Sequence, residues 1–85
     1  MESFTRGLAR ELGPRRITVN LVRPGPVDTD MNPADGPLAA AVIGGLALGR
    51  YGRTEEIAGA VAYLASPEAS YITGTGILVD GGANA

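Results

Sequence analysis

The sequence predicts a small α/β unit whose elements follow the order helix, strand, loop, helices, strand. Three observations lead to this prediction: an amphipathic stretch at residues 2–12, a β-branched run at residues 17–22, and a continuous apolar run at residues 77–79. Apolar residues recurring every three to four positions indicate a helix, and β-branched runs indicate strands. A short continuous apolar run between glycines is typical of a strand buried on both faces, as in parallel sheets.

Length and composition limit the core that such a unit can form. The chain has 85 residues and 13 glycines, with a single Phe and no Trp, and alanine makes up much of its 45% hydrophobic content. Burial stabilises a fold by about 25 cal/mol per Å² of apolar surface, and small residues bury little surface each. We therefore expect one domain at most, which is marginally stable alone or needs a partner surface.

The charge pattern excludes several classes of function. The net charge is −2, all seven basic residues are arginine, and Cys and His are absent. The basic surface expected for nucleic-acid binding is missing, and so are the thiolates of a disulfide or zinc site, so no metal site is predicted. Residues 1–3 do not resemble a secretory signal, and the longest apolar stretch, residues 38–48, is about half a membrane span. We expect a cytoplasmic protein without nucleic-acid or membrane partners.

Residues 2–12 are predicted to form an amphipathic helix that covers a sheet. Phe4, Leu8 and Leu12 recur at intervals of four and form one apolar stripe together with Ala9. The pair Gly13-Pro14 ends the helix.

The β-branched run at residues 17–22 is predicted to be a strand that delivers a loop. Pro24 lacks a backbone donor, so strand pairing should stop there, and Gly25 allows a steep turn. Thr29 would then lie beyond the carboxyl edge of the sheet, where ligands bind in open α/β folds. We expect the Asn20 amide to bond to neighbouring backbone. Arg23 is expected to be exposed to solvent, and Asp28 and Asp30 are expected to act as cap and turn residues.

The second half of the chain contains one ambiguous segment and one clear helix. Residues 38–48 are apolar on all sides and predict either a buried helix or a mobile lid. Gly44-Gly45 favours the lid, since each glycine weakens a helix by roughly 1 kcal/mol relative to alanine. Residues 54–66 predict a helix with Thr54 as N-cap, Glu55 and Glu56 in its first turn, and Pro67 just beyond its end.

The order of these motifs resembles the short-chain dehydrogenase/reductase family. The resemblance rests on Ile-Thr-Val-Asn-x-Val-x-Pro-Gly-x-x-x-Thr at residues 17–29, on residues 49–58, on Tyr-Ile-Thr-Gly at residues 71–74, and on Val-Asp-Gly-Gly at residues 79–82. It extends from about Ser3 to Gly82. It implies that residues 1–85 are the C-terminal portion of a Rossmann-like parallel-sheet domain, which is incomplete.

The resemblance implies an NAD or NADP site in the loop after the first strand. Backbone groups around Val27 and the hydroxyl of Thr29 would hydrogen-bond the nicotinamide carboxamide, which needs a donor and an acceptor in fixed places. Pro24 and Gly25 would shape the floor of this site. Members of the family move a hydride between the cofactor and a carbonyl or alcohol carbon.

The family's catalytic motif, Tyr-x-x-x-Lys, has no counterpart here because the chain contains no lysine. Tyr51, Tyr63 and Tyr71 therefore lack the partner that would activate a phenol. The glycine-rich turn that holds the cofactor pyrophosphate is also absent. We assign no catalytic residue, and we expect the isolated chain to be inactive and to bind NAD or NADP weakly or not at all. Its opening resembles the middle of a family helix, which an internal methionine mistaken for a start, or a truncated gene, would explain.

Two hypotheses follow. The chain is either the C-terminal part of an NAD(P)-dependent oxidoreductase, or a non-catalytic oligomerisation or interaction module derived from one. Its expected partners are a second copy of itself or the missing N-terminal part of the domain, with a small-molecule substrate in the complete enzyme. The residues assign neither the substrate, nor NAD over NADP, nor the oligomeric state.

Overall fold

The structure is a computed structural model that describes all residues 1–85. The elements are α1 (Glu2–Leu12), β1 (Leu21–Pro24), α2 (Ala39–Gly44), α3 (Thr54–Leu64) and β2 (Gly76–Val79), with 3-10 turns at Gly13–Arg15 and Pro67–Ala69. The predicted α/β order is confirmed.

The two strands form a parallel sheet with one helix on each face. Leu21 lies opposite Gly76, and Pro24 lies opposite Val79. Alternate strand residues point to opposite faces. The Glu2 carboxylate of α1 bonds to Arg23, so α1 lies on the Arg23 face. α3 contacts both strands and borders a groove lined by Val22 on the other face.

β1 begins and ends later than the predicted strand at residues 17–22, and it includes Pro24. In a parallel ladder every second residue directs its N–H toward the neighbouring strand. Leu21 donates to the Thr75 carbonyl (2.9 Å), and Gly25 donates to the Val79 carbonyl (3.1 Å). The nitrogen of Pro24 therefore faces away from β2. The strand ends at Pro24, as expected, but no ladder donor is lost there, so the missing N–H is not the reason.

Upstream of Leu21, side chains replace part of the backbone ladder, and only the Gly74 N–H still bonds across it to a backbone carbonyl, that of Val19 (2.8 Å). The Val19 N–H donates to Thr73 Oγ1 (3.0 Å). The Asn20 amide donates to the Ile72 carbonyl (3.0 Å) and accepts from the Thr75 N–H (3.2 Å). The Asn20 prediction is confirmed.

The apolar segment at residues 38–48 does not form a buried helix. α2 has six residues, its last residue is Gly44, and Gly45 follows as its C-cap. Ala39 and Leu46 are buried, whereas Leu38 and Leu48 are largely exposed. The lid alternative stays a prediction.

Helix α3 confirms the position of the acidic first turn but corrects the cap. Arg53 is the N-cap and Thr54 is the first helical residue. The Thr54 hydroxyl donates to Glu55 Oε1 (2.7 Å) instead of capping the helix. Glu56 reaches back to accept from the Arg53 N–H (2.9 Å), as in a capping box. The helix ends at Leu64, two residues earlier than predicted.

The core is small and discontinuous. Only six of 85 residues are buried, and no large side chain is fully enclosed. On α1 the buried positions are Thr5 and Ala9, whereas Phe4 of the predicted stripe is 65% exposed. Leu78 in β2 is 51% exposed, so the expected burial of this strand on both faces is not observed. The radius of gyration is 15.2 Å, against about 12 Å for a compact chain of this length. The chain is therefore elongated.

No helix has both the length and the apolar character needed to cross a membrane.

Candidate functional site

The candidate site is the loop at the carboxyl end of β1, residues 24–29, which we call the β1 loop. Pro24 is the last residue of the strand, and Gly25 follows it against the end of β2. A Cβ on Gly25 would lie 2.7 Å from both Cα and Cβ of Asp80, closer than side chains normally pack. Glycine is therefore required here by the close approach of Asp80, since the φ angle of Gly25 is not positive.

The middle of the β1 loop is bridged to Gly52. The Gly52 N–H donates to the Pro26 carbonyl, and the Gly52 carbonyl accepts from the Asp28 N–H, both at 2.9 Å. Val27 lies opposite Gly52 in this parallel bridge. Its own N–H and C=O make no hydrogen bond within the chain. Val27 therefore presents one backbone donor and one acceptor, which is the pair that an amide ligand requires.

The end of the β1 loop is closed by a short turn around Thr29. Thr29 and Asn32 exchange backbone hydrogen bonds of 3.3 and 3.1 Å, and Thr29 Oγ1 accepts from the Asn32 N–H (3.1 Å). The hydroxyl proton of Thr29 remains available to a ligand. Asp28 Oδ1 accepts from the Ala34 N–H (2.8 Å), in agreement with its predicted turn role. Asp30 makes no such bond, so its predicted cap role is not observed.

A cleft of about 430 Å³ lies between the β1 loop, the segment before α3 and the end of β2. Its walls combine the apolar side chains of Leu48, Ile57 and Val79 with the charged pair Arg50 and Glu56. The Leu48 N–H donates to the Gly81 carbonyl (2.9 Å), which joins the segment after α2 to the turn that follows β2.

The charged pair in this cleft is a bidentate ion pair that sequence reasoning missed. Arg50 donates through its two terminal nitrogens to Glu56 Oε1 (2.8 Å) and Oε2 (2.9 Å). These hydrogen bonds and the bond from the Arg53 N–H lower the pKa of Glu56 to about 2. The same pair raises the pKa of Arg50. An arginine six residues before a glutamate at a helix start was the available signal.

The tyrosines do not assemble into a catalytic group within this chain. Tyr51 is buried, and its hydroxyl lies 3.5 Å from Asn32 Oδ1. Tyr63 is half exposed and Tyr71 is fully exposed. No group of three or more acidic side chains is placed to hold a metal ion.

Comparisons with known proteins support the resemblance found in the sequence. A family model described as "Enoyl-(Acyl carrier protein) reductase" matches residues 1–84. A short-chain dehydrogenase/reductase from Serratia marcescens superimposes with a TM-score of 0.96 at 58% sequence identity over 99% of this chain. The chain belongs to the short-chain dehydrogenase/reductase family. A second member of similar structure, a blue fluorescent protein from a metagenomic library solved in complex with NADPH, gives a TM-score of 0.95 at 54% identity. It is matched over 99% of this chain and 34% of its own.

Among curated family members, two are 52% identical to this chain. One is the 3-oxoacyl-[acyl-carrier-protein] reductase FabG of Pseudomonas aeruginosa, matched over 96% of this chain. The other is the cyclic-di-GMP-binding biofilm dispersal mediator protein of Escherichia coli K12, matched over 95%. In both, the match covers 34% of the relative. This short-chain dehydrogenase/reductase chain thus spans about a third of its relatives, and the predictions of the family and of a partial Rossmann-like domain are confirmed.

Proposed function

We propose that the chain supplies the nicotinamide-binding loop of an NAD(P)-dependent short-chain dehydrogenase/reductase. Within it, Val27 binds the cofactor carboxamide through its backbone N–H and C=O, and the Thr29 hydroxyl donates a further hydrogen bond. Pro24 and Gly25 shape the floor beneath them. When bound, the cofactor supplies or accepts the hydride exchanged with a carbonyl or alcohol substrate.

The observation that carries this proposal is the unpaired backbone of Val27. Pro26 and Asp28 on either side both bond to Gly52, whereas the polar groups of Val27 bond to nothing in the chain. Val27 is half-buried, and a polar group left unsatisfied on full burial costs about 1–3 kcal/mol, so a ligand covering this loop must supply partners. A neutral carboxamide offers both partners at once. The NADPH bound to the similar metagenomic protein supports this class of ligand.

The remaining parts of the reaction lie outside these residues. The chain has no lysine for the family's Tyr-x-x-x-Lys motif. About two thirds of a relative's length has no counterpart here. We therefore propose that the chain works joined to, or paired with, that part of the domain, and that it has no reductase activity alone.

The test uses the product of the complete gene that contains this chain, together with substitutions at Thr29. Thr29→Val removes the hydroxyl and should weaken NADPH binding about 3- to 10-fold, as expected for the loss of one hydrogen bond worth about 0.5–1.5 kcal/mol. Thr29→Ser keeps the hydroxyl and should bind within about twofold of the parent, as should the distant control Thr75→Val. Equal affinities for all four proteins would contradict the proposed role of Thr29.

A second candidate function is a non-catalytic module that self-associates. Exposed apolar side chains favour it, among them Phe4 (65% exposed), Val61 (50%) and Leu78 (51%). The two-stranded sheet also leaves one edge of each strand unpaired, and such edges invite association. Size-exclusion chromatography with light scattering on the 85-residue chain separates the candidates. A folded, discrete oligomer without saturable NADPH binding would support the module, and NADPH binding by the 85-residue chain would support the cofactor site.

A further inference from the structure

Gly52 is the residue that fixes the β1 loop, and it is surrounded by a polar network that has no direct contact with that loop. Arg50 makes its bidentate pair with Glu56 and also donates to the Tyr51 carbonyl (3.1 Å). Glu56 accepts in addition from the Arg53 N–H (2.9 Å). We call Arg50, Glu56 and these two backbone groups the Arg50–Glu56 clamp.

The clamp fixes both peptide planes that flank Gly52. The peptide bond is planar, so the Tyr51 carbonyl and the Gly52 N–H move as one unit. Arg50 holds this carbonyl, and the attached N–H reaches Pro26. On the other side, the Gly52 carbonyl and the Arg53 N–H share a second plane. Glu56 holds that N–H, and the attached carbonyl accepts from Asp28.

We propose that the Arg50–Glu56 clamp positions the β1 loop by orienting the two peptide planes of Gly52, and thereby orients the free N–H and C=O of Val27. Arg50 and Glu56 are positioning residues that act through the two peptide planes of Gly52. The consequence for NADPH rests on the proposed function above, whereas the coupling between the clamp and the β1 loop stands on the geometry alone.

The clamp does more than stabilise the start of α3. A glutamate in the first turn already benefits from the helix dipole and from the reach-back bond to the N-cap N–H. Neither interaction needs an arginine that lies before the helix. Arg50 contributes nothing to the helix hydrogen bonds, yet it joins Glu56 to the peptide carbonyl immediately before Gly52. These contacts are explained if Arg50 serves to orient the peptide plane that carries the Gly52 N–H.

The clamp should be ionised over a wide pH range. The charged groups around the Glu56 carboxylate are Arg50 and Arg53, with Glu55 beside it on α3 and Asp80 lining the same cleft. Because the folded pKa of Glu56 lies at about 2, below its ordinary value, the clamp is fully formed above the ordinary pKa. It is lost only as the pH falls through about 2.

The test is amide hydrogen exchange in the complete gene product, read by NMR at the Gly52 and Asp28 amides. The Leu21 amide, bonded to Thr75 within the sheet, reports global opening. Arg50→Met and Glu56→Gln should each speed exchange at Gly52 and Asp28 at least about fivefold relative to Leu21, because each variant removes the bonds that hold the Gly52 peptide planes. NADPH affinity should fall with them. Arg50→Lys keeps the positive charge but loses the bidentate geometry of the guanidinium. It should therefore retain part of the protection of the Gly52 and Asp28 amides against exchange.

Arg53→Met is the matched control, because its guanidinium lies 3.8 Å from Glu56 and its backbone N–H is retained. It should leave the exchange ratio within about twofold of the parent. The proposal fails if Gly52 and Asp28 exchange no faster than Leu21 in the Arg50 and Glu56 variants, or if Arg53→Met has the same effect. Faster local exchange in a protein that does not bind NADPH would leave the positioning role intact and refute the proposed function.

Discussion

The β1 loop and the faces of the sheet are held in different ways. Backbone hydrogen bonds of 2.9–3.1 Å to Val79 and Gly52 fix the loop, and the Arg50–Glu56 clamp supports Gly52. The faces of the sheet have far less support. Phe4 on α1 is 65% exposed, and Leu78 on β2 is 51% exposed.

This contrast reflects what each of the two kinds of interaction requires. A hydrogen bond needs one donor and one acceptor in the right place, and the chain supplies both for the loop. Hydrophobic stabilisation grows with the area buried, and about a third of a family domain cannot bury enough. The geometry of the loop is therefore fixed by hydrogen bonds that the chain itself supplies, whereas the faces of the sheet bury little apolar area within these residues.

The largest expected effect comes from filling the contact between Gly25 and Asp80. In Gly25→Ala the new Cβ would meet the backbone of Asp80 at 2.7 Å, so one of the two strand ends must move. We expect the free energy of unfolding of the complete gene product to fall by about 1–3 kcal/mol, as overpacking does elsewhere. Urea denaturation followed by circular dichroism measures this change.

Gly59→Ala is the control for this substitution. Gly59 lies within α3 and has nothing within 4 Å of a new Cβ, so alanine should stabilise the helix by up to about 1 kcal/mol. If both variants changed stability in the same direction, the close approach at Gly25 would not be the reason for its glycine.

A smaller effect is expected at Asn20, where a side chain replaces the backbone ladder. Asn20→Ala leaves the Ile72 carbonyl and the Thr75 N–H without partners in a partly buried site. We expect a loss of about 1–2 kcal/mol, measured by the same denaturation. Asn84→Ala is the matched control because its only side-chain hydrogen bond is an exposed one to Asp80 (3.4 Å). Similar losses for both asparagines would show that the Asn20 bridge contributes no net stability.

The sequence was sufficient to predict the order of the elements, because periodicity and glycine–proline breaks are local signals. The helix at residues 2–12 was predicted with its observed bounds, since Gly13-Pro14 marks its end. The loop after β1 was also placed correctly. The start of the strand was placed four residues too early and its end two, because Val19 and Asn20 bond to side-chain or carbonyl partners more than 50 residues away.

Features that depend on distant pairing could not be derived from sequence pattern. The free backbone groups of Val27 exist because Gly52 pairs with its neighbours, and no periodicity reports that pairing. Thr54 was predicted as the N-cap from residue type alone. In the structure the cap is Arg53, one residue earlier, and Glu56 accepts a hydrogen bond from the Arg53 N–H. Residue type alone did not separate these two neighbouring positions.

The smallest expected effect concerns the exposed ion pair between Arg23 and Glu2, which joins β1 to α1 at 3.0 Å. Both side chains are about half exposed, so a double-mutant cycle with alanine at each position should give a coupling of about 0.2–1 kcal/mol. That coupling should disappear in 1 M salt, where the screening length is about 3 Å. Arg10→Ala is the control, because Arg10 lies on α1 and makes no ion pair; its effect on stability measures the loss of an unpaired arginine. A larger, salt-resistant coupling in the complete gene product would show that another surface shields this face from water. In that case the additional surface would cover the face of the sheet on which α1 lies.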